Sequence, residues 1–258
     1  MKKKLAILLI AVITVMAFTA GCGGNKEEKT FTVGFDAGFP PYGYEEDGEY
    51  VGFDLDLAKE VCDRNGWELV KQPIDWDSKD MELDSGTIDC IWNGFTINGR
   101  EEKYTWSEAY VDNSQVIVVP KDAGIASLAD LEGKEVLVQA DSSALHTLQE
   151  DQKDLADTFK SLTEVPDYNT AFMDLEAGAA NAVALDVGVA NYQVNNREGE
   201  YIILDEAIST EQYGVGFKLG NEELRDQVQK TIDEMVEDGT FMEIAEKWEL
   251  ADAVCLGK

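Results

Sequence analysis

Apolar and polar positions alternate through "TFTVGFD" (30–36), a run rich in β-branched residues that predicts a strand. A Pro- and Gly-rich loop, "AGFPPYGY", follows and carries Phe39, Tyr42 and Tyr44. Asp47-Gly48 then marks a hairpin turn. Beyond it the period changes. Leu57, Ala58, Val61 and Cys62 share one helical face, with Asp54 as the expected cap and Asn65-Gly66 as the stop. "WELVKQ" reads as a second strand, "DWDSKDMELDSG" as a short helix around Met81, and "TIDCIWN" as a third strand. Strand, helix, strand, helix, strand with short links predicts a parallel sheet covered on both faces. Ligands in such sheets sit beyond the carboxyl ends of the strands. Two loops occupy that place. One follows the first strand and holds Asp36 and Phe39; the other follows the third and holds Asn93, Gly94, Thr96 and Arg100.

The pattern then restarts. "SQVIVVP" (114–120) is a strand, Gly133 marks a turn, and Glu135 to Gln139 is a strand leading into "ADSS" at the start of a helix. A helix ending near Gly178 precedes a strand that runs to Asp186. "YGVGFKLG" (213–220) is a late strand. In the helix after it, Leu224, Val228, Ile232, Met235 and Val236 recur at helical spacing. The fold class is α/β. Two units of this kind are expected to form two lobes, 31–118 with 213–258 and 119–212, each a mainly parallel sheet flanked by helices with a ligand cleft between them. One continuous sheet is the alternative.

The N-terminus adds a destination. Three lysines precede an apolar run from Leu5 to Phe18, too short for the roughly 20 residues of a bilayer span, so residues 1–21 read as a secretory signal. Thr-Ala-Gly before Cys22 matches a bacterial lipobox, with Thr19 where Leu is usual, so the Cys22 thiol is expected to carry lipid. Residues 22–30 would tether the body to the bilayer. The chain carries 52 acidic and 21 basic residues, net −31, which argues against nucleic acid and against adhesion to anionic lipid. Cys62, Cys90 and Cys255 lack metal-site spacing; Cys62 and Cys90 read as small core residues.

The segments "VGFDAGFPPYGY", "YVGFDLDLAKEV", "SGTIDCIWNGFTINGR", "YTWSEAYV", "SLADLEGKEVLVQADSSA" and "NAVALD" together resemble the polar-amino-acid solute-binding proteins of ABC importers. They occur in that family's order over nearly all of residues 30–250. The resemblance implies the two-lobe type II periplasmic-binding fold, a free L-amino acid, polar or basic, as ligand, a membrane permease as partner, a monomeric state and no cofactor. It assigns the ligand α-carboxylate to Arg100, which lies four residues after Thr96 where the common pattern has five. It assigns the second-lobe contact to Ser142 and Ser143, with Asp141 where Gly is usual. Asp186, Asn93, Gly94 and Thr96 are assigned to the α-ammonium side and its turn, and Asp36, Phe39 and Trp76 to the ligand side chain.

These residue types suit a zwitterion. A guanidinium forks onto a carboxylate, and a buried carboxylate accepts from an ammonium. Trp92 is expected in the core, His146 on a helix surface, and Tyr213 either along the cleft or packed at the hinge. Two rival functions are considered. A dehydratase-like enzyme finds no nucleophile–histidine pair or metal spacing here. A component that passes amino acid signals to a membrane sensor shares the ligand chemistry.

Overall fold

The computed structural model describes residues 29–197 and 199–257. The signal segment and the lipidation position Cys22 lie outside the described residues. Among those described, no helix is long and apolar enough to cross a membrane.

Two main sheets carry the chain. The first is five-stranded, in the spatial order Glu68–Pro73, Thr30–Phe35, Cys90–Ile91, Gly216–Lys218, Tyr104–Trp106. The second places Ser161–Val165, Glu135–Gln139, Ala182–Asp186, Val111–Pro120 and Tyr201–Ile203 side by side, with Ser209–Tyr213 also paired to Val111–Pro120. Both sheets are mixed, where mainly parallel ones were expected. The βαβ units give parallel pairs, such as Thr30–Phe35 with Glu68–Pro73 and Glu135–Gln139 with Ala182–Asp186. The strands that connect or complete the two sheets enter antiparallel.

The long strand Val111–Pro120 is buried on both faces. Val116 and Val118 join one apolar cluster, while Ile117 and Val119 join another. That explains its continuous apolar run. It begins before Ser114 because its polar residues Asn113 and Gln115 are also buried, against acids rather than hydrophobes. The outgoing change of sheet therefore falls between Trp106 and Val111, upstream of the 118/119 boundary drawn from the sequence. The return falls between Tyr213 and Gly216.

Helix Phe53–Asn65 turns Phe53, Leu57, Ala58, Val61 and Cys62 inward, and Gly66 in the left-handed conformation ends it. Helix Glu222–Asp238 buries Leu224, Val228, Ile232 and Met235 along one stripe. Asp54 does not cap its helix; Gly52 holds that position. Asp54 instead sits in the first turn, fully buried, and accepts the Gly94 N–H at 2.6 Å and the Tyr110 hydroxyl at 2.9 Å. Burial pushes its carboxyl up to about 7, against those two hydrogen bonds. The carboxylate thus ties the turn that carries Asn93, Gly94 and Thr96 to a helix of the first lobe.

Cys62 and Cys90 are buried free thiols.

Candidate functional site

The two sheets face each other across their strand ends, and polar side chains from both meet there. Asp36, just past the first strand, accepts the Gly38 N–H at 2.7 Å and Gln139 Nε2, from the second sheet, at 2.6 Å. Burial raises its pKa, opposed by those two donors. Asn93 accepts the Asp36 N–H through Oδ1 at 3.0 Å, while its Nδ2 is buried without a partner among the described residues. Gly94 has φ 55, and a Cβ there would lie 2.8 Å from Phe39 Cε1 and 3.0 Å from Tyr213 Cε2. Only glycine fits that turn.

A carboxylate pair forms the centre of the interface. Asp186, at the end of its strand, accepts from Asn113 Nδ2 at 2.8 Å, Gln115 Nε2 at 2.7 Å and the Tyr213 hydroxyl at 2.5 Å. Glu211 accepts from the same two amides at 2.7 and 2.8 Å, from Thr96 Oγ1 at 2.8 Å and from the Ser143 hydroxyl. Two buried carboxylates sharing two donors disfavour double ionisation. The Asp186 carboxyl is pushed up to about 7, by burial first and then by the Glu211 charge. A cation placed between them would relieve both costs.

Positive charge lies at the other end of the same chain of contacts. Arg100 donates through Nη1 to the Thr96 carbonyl at 3.3 Å and through Nη2 to the Asp141 carbonyl, from the second lobe, at 3.4 Å. Its guanidinium carbon stands 5.3 Å from the Phe95 ring. Lys79 joins it. Its ammonium donates to the Trp76 carbonyl at 3.2 Å, to the Asp141 carbonyl at 3.4 Å and to the Asp141 carboxylate. Burial pulls the Lys79 pKa down, and Asp141 pushes it back. Asp141 has φ 54, which explains why glycine suits this position.

Beside this network opens a cavity of about 510 Å³ lined from both lobes, by Asp36, Asp75, Trp76 and Glu82 on one side and Asp167 and Asn169 on the other. Four of these are acids, so the cavity favours cations. Trp76 is braced edge-on against Phe95 at 5.5 Å.

Most of the expected residues therefore come together, in two groups. Asp36 and Trp76 line the cavity. Thr96, Ser143 and Asp186 join the network around Glu211, and Arg100 reaches it through the Thr96 main chain. Of the remaining four, Asn93 and Gly94 form the turn held by the Asp36 N–H and the Asp54 carboxylate, while Ser142 and Phe39 have structural partners. Ser142 caps the helix Ser143–Gln149 by accepting the Leu145 N–H at 3.1 Å. Phe39 packs between Tyr42 and Tyr168, with centroids at 5.7 and 6.0 Å. Trp92 lies in the core as expected. Tyr213 both packs at the hinge and points its hydroxyl into the site. Sequence reasoning missed Glu211, Lys79, Gln139, Asn113 and Gln115. For Glu211 a signal existed: it alternates with Ser209 and Tyr213 on one side of a strand, where a lone acid on the buried side is unusual.

The match to known proteins covers almost all of the folded chain. Residues 31–251 match the model of the bacterial extracellular solute-binding proteins, family 3. The chain belongs to this family. Its fold is the two-lobe type II periplasmic-binding fold. A curated relative, the L-cystine-binding protein TcyJ of Escherichia coli (strain K12), is 30% identical over 254 residues, covering 96% of this chain and 94% of the relative. An ABC uptake transporter substrate-binding protein from Streptococcus pneumoniae, solved with bound histidine, is 34% identical with a TM-score of 0.81, covering 85% of this chain and 92% of that one. An ancestral arginine-binding protein bound to arginine is 36% identical with a TM-score of 0.79, covering 86% and 98%. The family's members are extracellular solute-binding proteins, and these relatives are binding proteins by name.

Proposed function

We propose that this family member captures one free L-amino acid, polar or basic, between its lobes and delivers it to an ABC permease. The observation that carries the reading is the polarity of the interface: Arg100 and Lys79 at one end, and the Asp186–Glu211 pair at the other, linked through Thr96. A free amino acid presents the same pair of charges a few ångströms apart. Each loses several kcal/mol of hydration when buried unless it meets an opposite partner. Arg100 serves the carboxylate. Asp186 and Glu211 share the ammonium, which relieves their mutual repulsion. Thr96 and Ser143 add hydroxyl donors, and Asn93 and Gly94 shape the turn that presents them. Charge-assisted hydrogen bonds contribute roughly 1.5–3 kcal/mol each. A surplus of a few reaches about −8 kcal/mol, or micromolar affinity.

The side-chain end faces Asp36, Trp76 and the acidic cavity, which supports a ligand with a cationic group there. In this reading the chain passes from lobe 1 to lobe 2 between Trp106 and Val111 and returns between Tyr213 and Gly216. The groups that hold the two ends of the ligand come from different lobes, so only closure satisfies both, and the ligand biases the open–closed equilibrium by differential contact. Lipid on Cys22 holds the monomer at the outer face of the membrane, where it meets its permease. No step of chemistry on the ligand belongs to this role.

A thermal-shift screen of the twenty amino acids with ornithine and cystine, followed by calorimetry on the best, tests the reading. A saturable one-to-one interaction in the micromolar range or tighter is expected. Absence of binding to every compound overturns it.

A further inference from the structure

Among the described residues, Lys79 stands apart from the other cations. Its side chain is 2% exposed, yet the carboxylate it meets, that of Asp141, is 56% exposed. A buried ammonium costs several kcal/mol of hydration. A structural ion pair that offset this cost would bury its acid as well, because a carboxylate left in water is screened and contributes little. Here the cation is committed to the interface while its acid remains half in solvent. The two also belong to opposite lobes. Lys79 starts the helix Lys79–Ser85 beside the first sheet, and Asp141 lies between the strand Glu135–Gln139 and the helix Ser143–Gln149 of the second.

The surroundings of Lys79 point the same way. Its ammonium stands 5.0 Å from the Trp76 ring centroid, and Trp76 lines the cavity. Its other acceptors are main-chain carbonyls, Trp76 O at 3.2 Å and Asp141 O at 3.4 Å. Arg100 Nη2 reaches that same Asp141 carbonyl at 3.4 Å. Two cations thus converge on one acceptor next to a carboxylate that can swing into water. A guanidinium and an ammonium converging in this way form a site for a carboxylate with more than one lone pair to offer.

We propose that Lys79 is a second cation for the ligand's carboxylate, and that Asp141 is an internal stand-in whose side chain the ligand displaces. The inference rests on the amino-acid reading and extends it: the carboxylate end is a two-cation clamp with a built-in competitor. Capture is then an exchange. The carboxylate of Asp141 turns outward to solvent, the ligand carboxylate takes its place on Lys79 and Arg100, and the Asp141 carbonyl remains to fix the lysine.

The two ends of the pair must then behave oppositely, which a bridge that merely holds the lobes shut would not do. The full folded chain is titrated by calorimetry with the tightest binder among the twenty amino acids, ornithine and cystine. Lys79→Met keeps the unbranched apolar stem of the side chain without its ammonium and is expected to weaken binding at least about tenfold. Asp141→Asn keeps the left-handed backbone, which asparagine adopts readily, and removes the competing charge. It is expected to tighten binding at least about threefold. Weaker or unchanged binding by Asp141→Asn overturns the proposal, and this variant decides alone should Lys79→Met fail to fold. Unchanged affinity in a folded Lys79→Met also overturns it. In both cases the wild type still binds, so the amino-acid reading survives; a wild type that binds nothing overturns both.

Discussion

Thr96 Oγ1 donates to Glu211 Oε1 at 2.8 Å, from a turn of the first lobe to a strand of the second sheet. This contact joins the cationic and the acidic halves of the site. Thr96 presents its carbonyl to Arg100, and Glu211 shares two amides with Asp186. A change at either residue is therefore felt at both ends of a bound zwitterion.

Glu211→Gln keeps an oxygen to accept from Thr96, presents its amide NH2 to the Ser143 hydroxyl, which can turn to accept, and removes one of two neighbouring charges. Without a ligand, the melting temperature is expected to hold or rise, because the repulsion with Asp186 is gone. Affinity for an amino acid is expected to fall at least about tenfold, since its ammonium loses a charged partner. Calorimetry and a thermal melt on the same sample check both halves.

Arg100→Ala removes the guanidinium from a partly exposed position where its two hydrogen bonds are long, at 3.3 and 3.4 Å. The fold is expected to survive, with an unchanged far-ultraviolet circular dichroism spectrum. Amino acid affinity is expected to drop at least about tenfold, or about 1.4 kcal/mol. Wild-type affinity in the variant would remove Arg100 from the site.

Stability is expected to fall as pH rises from about 5 to 7.5. The carboxyls of Asp54 and Asp186 titrate at about 7 in the folded chain, against an ordinary value of 3.8. Between those values the folded state holds protons that the unfolded state has lost, so each pH increment favours unfolding until about 7 is passed. For Asp54 the effect is on the order of a few kcal/mol. Urea midpoints of the wild type should decline over this range, and Asp54→Asn should flatten the decline.

Gly94→Ala forces a Cβ into Phe39 and Tyr213 at a backbone conformation that only glycine adopts freely. A loss of about 1–3 kcal/mol is expected. In a body of this size that lowers the melting temperature by roughly 2–4 °C per kcal/mol. An alanine variant as stable as the wild type would mean that the turn relaxes at no cost.

Much of this was legible in the chain before any coordinates. Periodicity located the helix over 53–65, the helix over 222–238 and most of the core strands, because each buries an apolar face of its own. The loops after the first and third strands were singled out by topology alone, and Asp36, Thr96 and Arg100 all reach the lobe interface. The errors concern residues whose partners are remote in sequence. Asp54 looks like a helix cap from its neighbours, and its true partners lie 40 and 56 residues away. The strand from Val111 opens with polar residues because Asn113 and Gln115 face acids about 70 to 100 positions later. Lys79 resembles a surface lysine on a short polar helix until the second lobe covers it. Local patterns carry local burial; a polar residue buried by another lobe leaves no period to read.

Cys62 and Cys90 bear on the kind of cargo that can pass. Thiol–disulfide exchange requires a thiolate that can touch the incoming sulfur. Burial pushes the Cys62 thiol up to about 12 and raises Cys90 well above its ordinary value, and neither side chain has any exposed surface. Neither of these two sulfurs can therefore open the S–S bond of an amino acid that enters the cleft, because both are sealed away from it.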